Sequence, residues 1–130
     1  MQLHTQVLGD ASKNVCLWCR GWVGTGDHTL QELFSLDQFK PDQRGVKART
    51  LSLVSALWTL QEKLGFYVWT EPDRRPDHLL LIMESRNFIR FDREMPLEDW
   101  GGKLYLEAFN VPEPKLFWFQ LEFDKILERS

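Results

Sequence analysis

The chain has 130 residues, a net charge of −3 and 43% hydrophobic residues, which predicts one domain over residues 1–130 with its own core and excludes a disordered chain. The acidic balance offers no general attraction to phosphate, so nucleic acid is disfavoured as the default partner. Neither an 18-residue apolar run nor a signal-like N-terminus occurs, so we expect a cytoplasmic protein that does not contact membranes.

The first predicted elements are two strands and a short helix. Residues 3–8 roughly alternate between apolar and polar side chains, and residues 15–23 are rich in β-forming types, so together they predict a hairpin. Apolar side chains then follow helical spacing over residues 30–36. They predict a short helix that is capped by Asp27 or Thr29.

The strongest helical pattern lies at residues 44–64. Five apolar residues share one helical face, and Gly65 supplies a stop signal directly after them. The five are Val46, Leu53, Leu57, Leu60 and Leu64. The segment therefore predicts one long helix, the main element packed on a sheet.

The second half of the chain predicts mainly strands. They are expected at residues 66–71, 78–84, 88–92 and 103–109, the second of them buried on both faces. Segment 113–130 fits either a strand or a helix, and its alternating aromatic residues favour a strand that ends in a helical turn. The fold class predicted is α+β, a largely antiparallel sheet with one long helix, about residues 44–64, packed across it.

The cysteines Cys16 and Cys19 form a C-x-x-C pair inside a predicted strand. Residues three apart on a strand point to opposite faces, so the two thiols diverge and neither a redox pair nor a zinc site is expected. Only His28 and His78 could complete a metal site, and their spacing does not predict that they converge with the cysteines. Two reduced cysteines fit a reducing cytoplasm.

Other catalytic and cofactor patterns fail on context. Gly21, Gly24 and Gly26 lie between a predicted strand and a predicted helix, but no phosphate-loop pattern is present, and Asp27 would repel a phosphate. No G-x-S-x-G motif occurs. The sequence therefore assigns no catalytic residue, no cofactor-binding residue and no metal ligand, and an enzyme is the less favoured interpretation.

An arginine-rich strand supports one alternative function. The segment RNFIRFDR combines alternating aromatics with Arg86, Arg90 and Arg93, as in sheets that stack single-stranded bases. Arg74 and Arg75 lie in the neighbouring turn and extend the patch if they converge in space. The alternative is thus a nucleic-acid-binding subunit of a ribonucleoprotein complex that uses a patch around residues 86–93.

The leading hypothesis is a non-enzymatic protein-binding module, such as an accessory subunit, inhibitor, immunity protein or assembly factor. Trp, Tyr and Arg dominate binding hot spots, and an edge strand offers unpaired backbone groups to a partner. The partner is another protein of unknown identity or a second copy of the chain. The candidate contact residues are Trp100, Tyr105, Trp118, Arg86 and Arg90.

Overall fold

The computed structural model describes residues 1–11, 13–26, 29–60, 64–97, 100–109 and 111–127, with the side chains of residues 86, 87 and 92–96 outside the description. Nine strands make up most of it. They are β1 (Gln2–Asp10), β2 (Asn14–Val23), β3 (Leu30–Ser35), β4 (Ala48–Thr59), β5 (Gly65–Trp69), β6 (Leu79–Glu84), β7 (Arg86–Pro96), β8 (Lys103–Phe109) and β9 (Lys115–Leu127). Two short 3-10 turns, Leu36–Gln38 and Pro76–His78, lie between strands.

The strands form two antiparallel sheets. Sheet A has the order β1-β2-β9-β4-β7, and sheet B has the order β3-β8-β5-β6. The long strand β9 pairs with β2 on one side and with β4 on the other, so it lies at the centre of sheet A. Strands β1, β7, β3 and β6 are the sheet edges.

The sheets pack face to face and enclose the core. Phe66 of sheet B has its ring centroid 4.6 Å from that of Phe117 and 6.1 Å from that of Phe119, both in sheet A. At the other end, Phe34 meets Phe123 edge-on at 5.5 Å. Inward side chains alternate with outward ones along the strands, so the molecule is a β-sandwich.

The predicted α+β class is therefore wrong, because residues 48–59 of the expected long helix form β4. The core-facing residues of this segment are Leu51, Leu53, Ala56, Trp58 and Leu60. Their register shifts between Leu53 and Ser55, which is a β-bulge. The extra residue replaces one step of two by a step of three, and that step imitates helical spacing. Pairing with both β9 and β7 fixes the segment as a central strand.

Two further predictions are corrected. The expected helix after Thr29 is strand β3 followed by a single 3-10 turn, because β3 pairs with β8. Its proposed cap Asp27 lies outside the described residues. Strand β6 is not buried on both faces, since it is a sheet edge on which Ile82 remains exposed.

Several strand predictions are confirmed. β1 and β2 form the expected hairpin, and strands occupy the predicted segments at β5, β7 and β8. The open segment 113–130 is strand from Lys115 to Leu127, and the described residues there include no helical turn. Within the described ranges, no helix has the length and apolar character needed to cross a membrane.

Candidate functional site

Strand β2 separates a core row from a surface row. Its inward residues Val15, Leu17, Cys19 and Val23 are almost completely buried. Its outward residues include Trp18, Arg20 and Trp22, which alternate with them because successive side chains point to opposite faces of the sheet. The surface row therefore consists of aromatic and basic side chains.

The register of sheet A aligns this row with a similar one on β9. Trp22 pairs with Leu116, and Arg20 pairs with Trp118. Side chains on directly opposed residues lie about 4.5–5.5 Å apart at Cβ, so these pairs form one continuous surface. The exposed fraction is 41% for Trp22 and 38% for Trp118, and it reaches 67% for Leu116.

These residues surround an open cavity of about 550 Å³ at one end of sheet A, which we name the tryptophan cleft. This volume is within the range of ligand-binding clefts, roughly 300–1,000 Å³. Ten residues line it: Gln2, Leu3, His4, Trp18, Arg20, Gly21, Trp22, Leu116, Phe117 and Trp118.

Arg20 is the one always-charged residue among the described residues that line the cleft, and none of these lining residues carries a carboxylate. Its guanidinium carbon lies 4.9 Å from the ring centroid of Trp18, which is a cation–π contact. This contact holds the guanidinium beside the apolar surface. The N–H groups of an arginine suit the two oxygens of a carboxylate or phosphate.

Gly21 allows the backbone of β2 to lie close to the backbone of β1 and to the ring of Phe117 at the cleft. A Cβ at this position would collide with the carbonyl oxygen of Gln2 and would lie 2.8 Å from Cζ of Phe117. Only a glycine therefore lets β1, β2 and β9 keep this spacing while the Phe117 ring fills the core behind them.

The cysteines diverge as predicted. Cys19 belongs to the buried row of β2, whereas Cys16 lies half-buried on the outer face beside Glu122. Burial raises the pKa of the Cys19 thiol to about 12. Burial also raises the pKa of Cys16, and the negative charge of Glu122 adds to this effect. Neither thiol therefore has the lowered pKa of an activated nucleophile.

The two described histidines, His4 and His78, do not form a metal site with the cysteines. His78 binds Asp73 through Nδ1 at 2.8 Å, and this hydrogen bond raises the pKa of His78. His4 lines the tryptophan cleft, while His28 lies outside the described residues. Across the parts of the chain that the structure describes, no three His, Cys, Asp or Glu side chains come together as a metal site.

The predicted arginine patch is divided between two faces. Arg90 is exposed on the outer face of sheet A, where it pairs with Ser55. Arg74 instead binds Glu107, which belongs to the outer face of sheet B, at 2.5 Å. Arg75 lies 3.5 Å from Asp77 in the same turn. The side chains of residues 86 and 93 lie outside the description.

The other predicted contact residues are equally scattered. Trp118 is in the tryptophan cleft. Tyr105 is half-buried on the outer face of sheet B. Trp100 packs against the core and donates its indole N–H to the hydroxyl of Thr50 at 2.9 Å, near the end of β4 that is remote from Trp118. Trp100 therefore has the position of a lid on the core, and partner-binding roles for Trp100 and Tyr105 stay predictions.

The cleft residues of β1 and β2 were not predicted from the sequence as binding residues. Residues 15–23 were predicted only as the second strand of a hairpin, and the row that contains Leu17 and Cys19 faces the core. The signal for the other row was present, because Trp18, Arg20 and Trp22 recur with a period of two on a predicted strand.

Comparisons of the chain with models of known protein families, with curated proteins and with solved structures find no match. The geometry of the tryptophan cleft is therefore the basis on which a function is inferred.

Proposed function

We propose that the chain is a non-enzymatic protein-binding module that docks a partner protein on the tryptophan cleft. The observation that carries the proposal is the exposure of Trp22, Leu116 and Trp118 side by side around a cavity. Large apolar side chains grouped in this way mark interaction sites on soluble proteins. Tryptophan and arginine are also the residues most enriched in binding hot spots.

Charge defines the chemistry of the partner. With Arg20 and His4 in the lining and no carboxylate among the described lining residues, the cleft favours a segment that presents an apolar side chain next to Asp or Glu. The apolar group would fill the space between Trp22 and Trp118, and a carboxylate would bind the guanidinium of Arg20. The rest of the chain is acidic, so a strongly acidic partner would have to approach this face.

A displayed library of random twelve-residue peptides tests the proposal and needs no identified partner. Peptides selected on the wild-type protein are expected to be enriched in Asp or Glu next to Leu, Ile, Phe or Trp. In fluorescence polarisation with a selected peptide, we expect Trp22→Ala and Trp118→Ala each to weaken affinity at least tenfold, about 1.4 kcal/mol or more.

Ile82→Ala is the matched control, because Ile82 is exposed to a similar degree on sheet B. It should leave the affinity unchanged, whereas Arg20→Glu should reduce it and remove the preference for acidic peptides. The proposal would be contradicted if no peptide is selected, or if the Trp22→Ala and Trp118→Ala variants bind the peptide as tightly as the wild type does.

Nucleic-acid binding is retained as a second candidate because of one row of side chains on sheet A. The pairings connect Trp18 to Gln120, Gln120 to Leu57, and Leu57 to Phe88, next to Arg90. Aromatic and arginine side chains on a sheet surface can stack single-stranded bases. If this candidate is correct, a labelled single-stranded oligonucleotide should bind with a steep salt dependence and lose affinity in Arg90→Glu. A flat salt response would reject it.

We also propose that the protein functions in a reducing compartment such as the cytoplasm. Cys16 and Cys19 lie on opposite faces of β2, so the two thiols are not placed to form a disulfide with each other.

A further inference from the structure

Strand β1 is the sheet edge with the least charge. An edge strand presents a row of backbone N–H and C=O groups with which no further strand of the described part of the chain pairs. Strand β3 touches β1 through a side chain, since the hydroxyl of Thr5 donates to the carbonyl oxygen of Leu33. Soluble proteins commonly protect such edges with charged side chains. Strand β7 has several, and β3 and β6 have one each in six residues, Glu32 and Glu84, whereas the nine residues of β1 have only Asp10 at the end, which binds Lys125, and a histidine.

The same edge leaves apolar side chains in water. Val7 is 43% exposed and Leu8 is 50% exposed, and Leu3 is only half-buried. The pairing of β1 with β2 is regular up to Val7, and then shifts in register between Val7 and Gly9. This bulge limits any further pairing along the edge to the residues before it.

We propose that β1 pairs with β1 of a second copy of this chain, antiparallel and around a two-fold axis at Thr5. This register places Leu3 opposite Val7 of the other copy, and Val7 opposite its Leu3, all on the core side of the strand. On the outer side, His4 faces Gln6 of the other copy, and like charges do not meet directly. A register centred on Gln6 would instead oppose Leu3 to Gly9 and leave the leucine without an apolar partner.

The pairing closes the assembly at two chains. Each copy contributes β1, and the contact is isologous, so that neither copy retains an open β1 edge. The two five-stranded sheets become one sheet of ten strands, with both tryptophan clefts on the same side. Because Gln2 and His4 line the cleft and also belong to β1, each cleft borders the two-fold contact.

Sedimentation velocity of the full chain over a range of about 1–200 µM tests the proposal through mass action. The wild type should sediment as a reversible dimer. Val7→Lys should weaken the dimer at least tenfold, because each lysine introduces a charge at the contact. Ile82→Lys is the matched control, since Ile82 is 45% exposed on the edge strand β6, and it should leave the dimer intact.

The register has an independent test in a background that carries Cys16→Ser and Cys19→Ala. With Thr5→Cys, mild oxidation should link two chains, because residues opposed at the axis have Cα atoms about 4.5–5.5 Å apart. With Gln6→Cys, the corresponding Cα atoms are separated by more than about 7 Å, so no link should form.

Three results would overturn the proposal. The first is a wild-type monomer over the whole concentration range, the second is equal dissociation by Val7→Lys and Ile82→Lys, and the third is cross-linking of Gln6→Cys instead of Thr5→Cys. Trp118→Ala should keep the dimer, because this side chain lies on β9, two strands away from the contact. Failure of peptide binding and failure of dimerisation are thus separate results.

Discussion

A buried ion pair closes one end of the sandwich, and its removal gives a sharp test of the fold. The ammonium of Lys125 on β9 binds Oδ1 of Asp10 at the end of β1, with side-chain exposures of only 1% and 10%. The same ammonium donates to the carbonyl oxygen of Lys40 at 3.0 Å. The backbone N–H of Lys40 donates to Oδ2 of Asp10 at 2.8 Å. The pair therefore ties two strands of sheet A to the loop that precedes β4.

We predict that Lys125→Met destabilises the protein by about 3–5 kcal/mol, because the substitution leaves Asp10 as a buried charge without its partner. Unfolding entropy is about 2.1 cal/mol/K per residue, so a chain of 130 residues has roughly 0.27 kcal/mol/K. A loss of about 3–5 kcal/mol then lowers Tm by roughly 11–18 °C.

Urea unfolding followed by tryptophan fluorescence measures this change at neutral pH. Asp10→Asn should cost a similar amount, since it leaves the ammonium unpaired. Combining it with Lys125→Met should recover about 2 kcal/mol relative to the sum of the single losses. A loss below about 1 kcal/mol for Lys125→Met, or strictly additive losses, would refute the claim that the two charges depend on each other.

Three further predictions concern a surface loop, the cysteines and the lid. The hydrogen bond between Asp73 and His78 raises the pKa of His78 and lowers the pKa of Asp73, so the pair stabilises the fold above the unfolded pKa of the carboxyl and below the folded pKa of the imidazole. The urea midpoint of Asp73→Asn should therefore lie below wild type at about pH 5.5, and the gap should shrink by about pH 8.5 as the imidazole loses its proton; a gap independent of pH would contradict this. Cys19 is buried, and burial raises its pKa to about 12, so iodoacetamide at about pH 8 should not label it in the folded protein. Mass spectrometry should therefore detect a label on the half-buried Cys16 of the wild type and no label on the folded Cys16→Ser variant. Trp100→Phe should lower stability by about 1 kcal/mol in urea unfolding through loss of one hydrogen bond, and an unchanged midpoint would remove its role as a lid.

Most strands could be predicted from local patterns, and β4 shows why one could not. Alternation reports a strand only while the register is regular, and the bulge between Leu53 and Ser55 breaks it. A count of apolar spacing then favours a helix, although Thr50, Val54 and Trp58 are typical of strands. For β3, six residues are too few for spacing to separate helix from strand, and pairing with β8 decides.

The candidate site was predictable only in part. Trp100 and Trp118 were both predicted as contact residues from their residue type. The structure places them at opposite ends of β4, beside Thr59 and Thr50. Their distance depends on the strand register, and that is fixed by pairs of residues far apart along the chain.

Local sequence was enough to establish the alternation along each regular strand, and with it the divergence of Cys16 from Cys19, because successive side chains on an extended backbone point to opposite faces whatever lies beside them. Which alternating row faces the core, and which strands are neighbours, followed from the packing of the whole molecule. Trp18, Arg20 and Trp22 form a cleft only because β9 lies beside β2 and carries Leu116 and Trp118 in register. Neighbours of this kind result from burying both sheets against each other, a free energy that belongs to the whole chain and to no single segment.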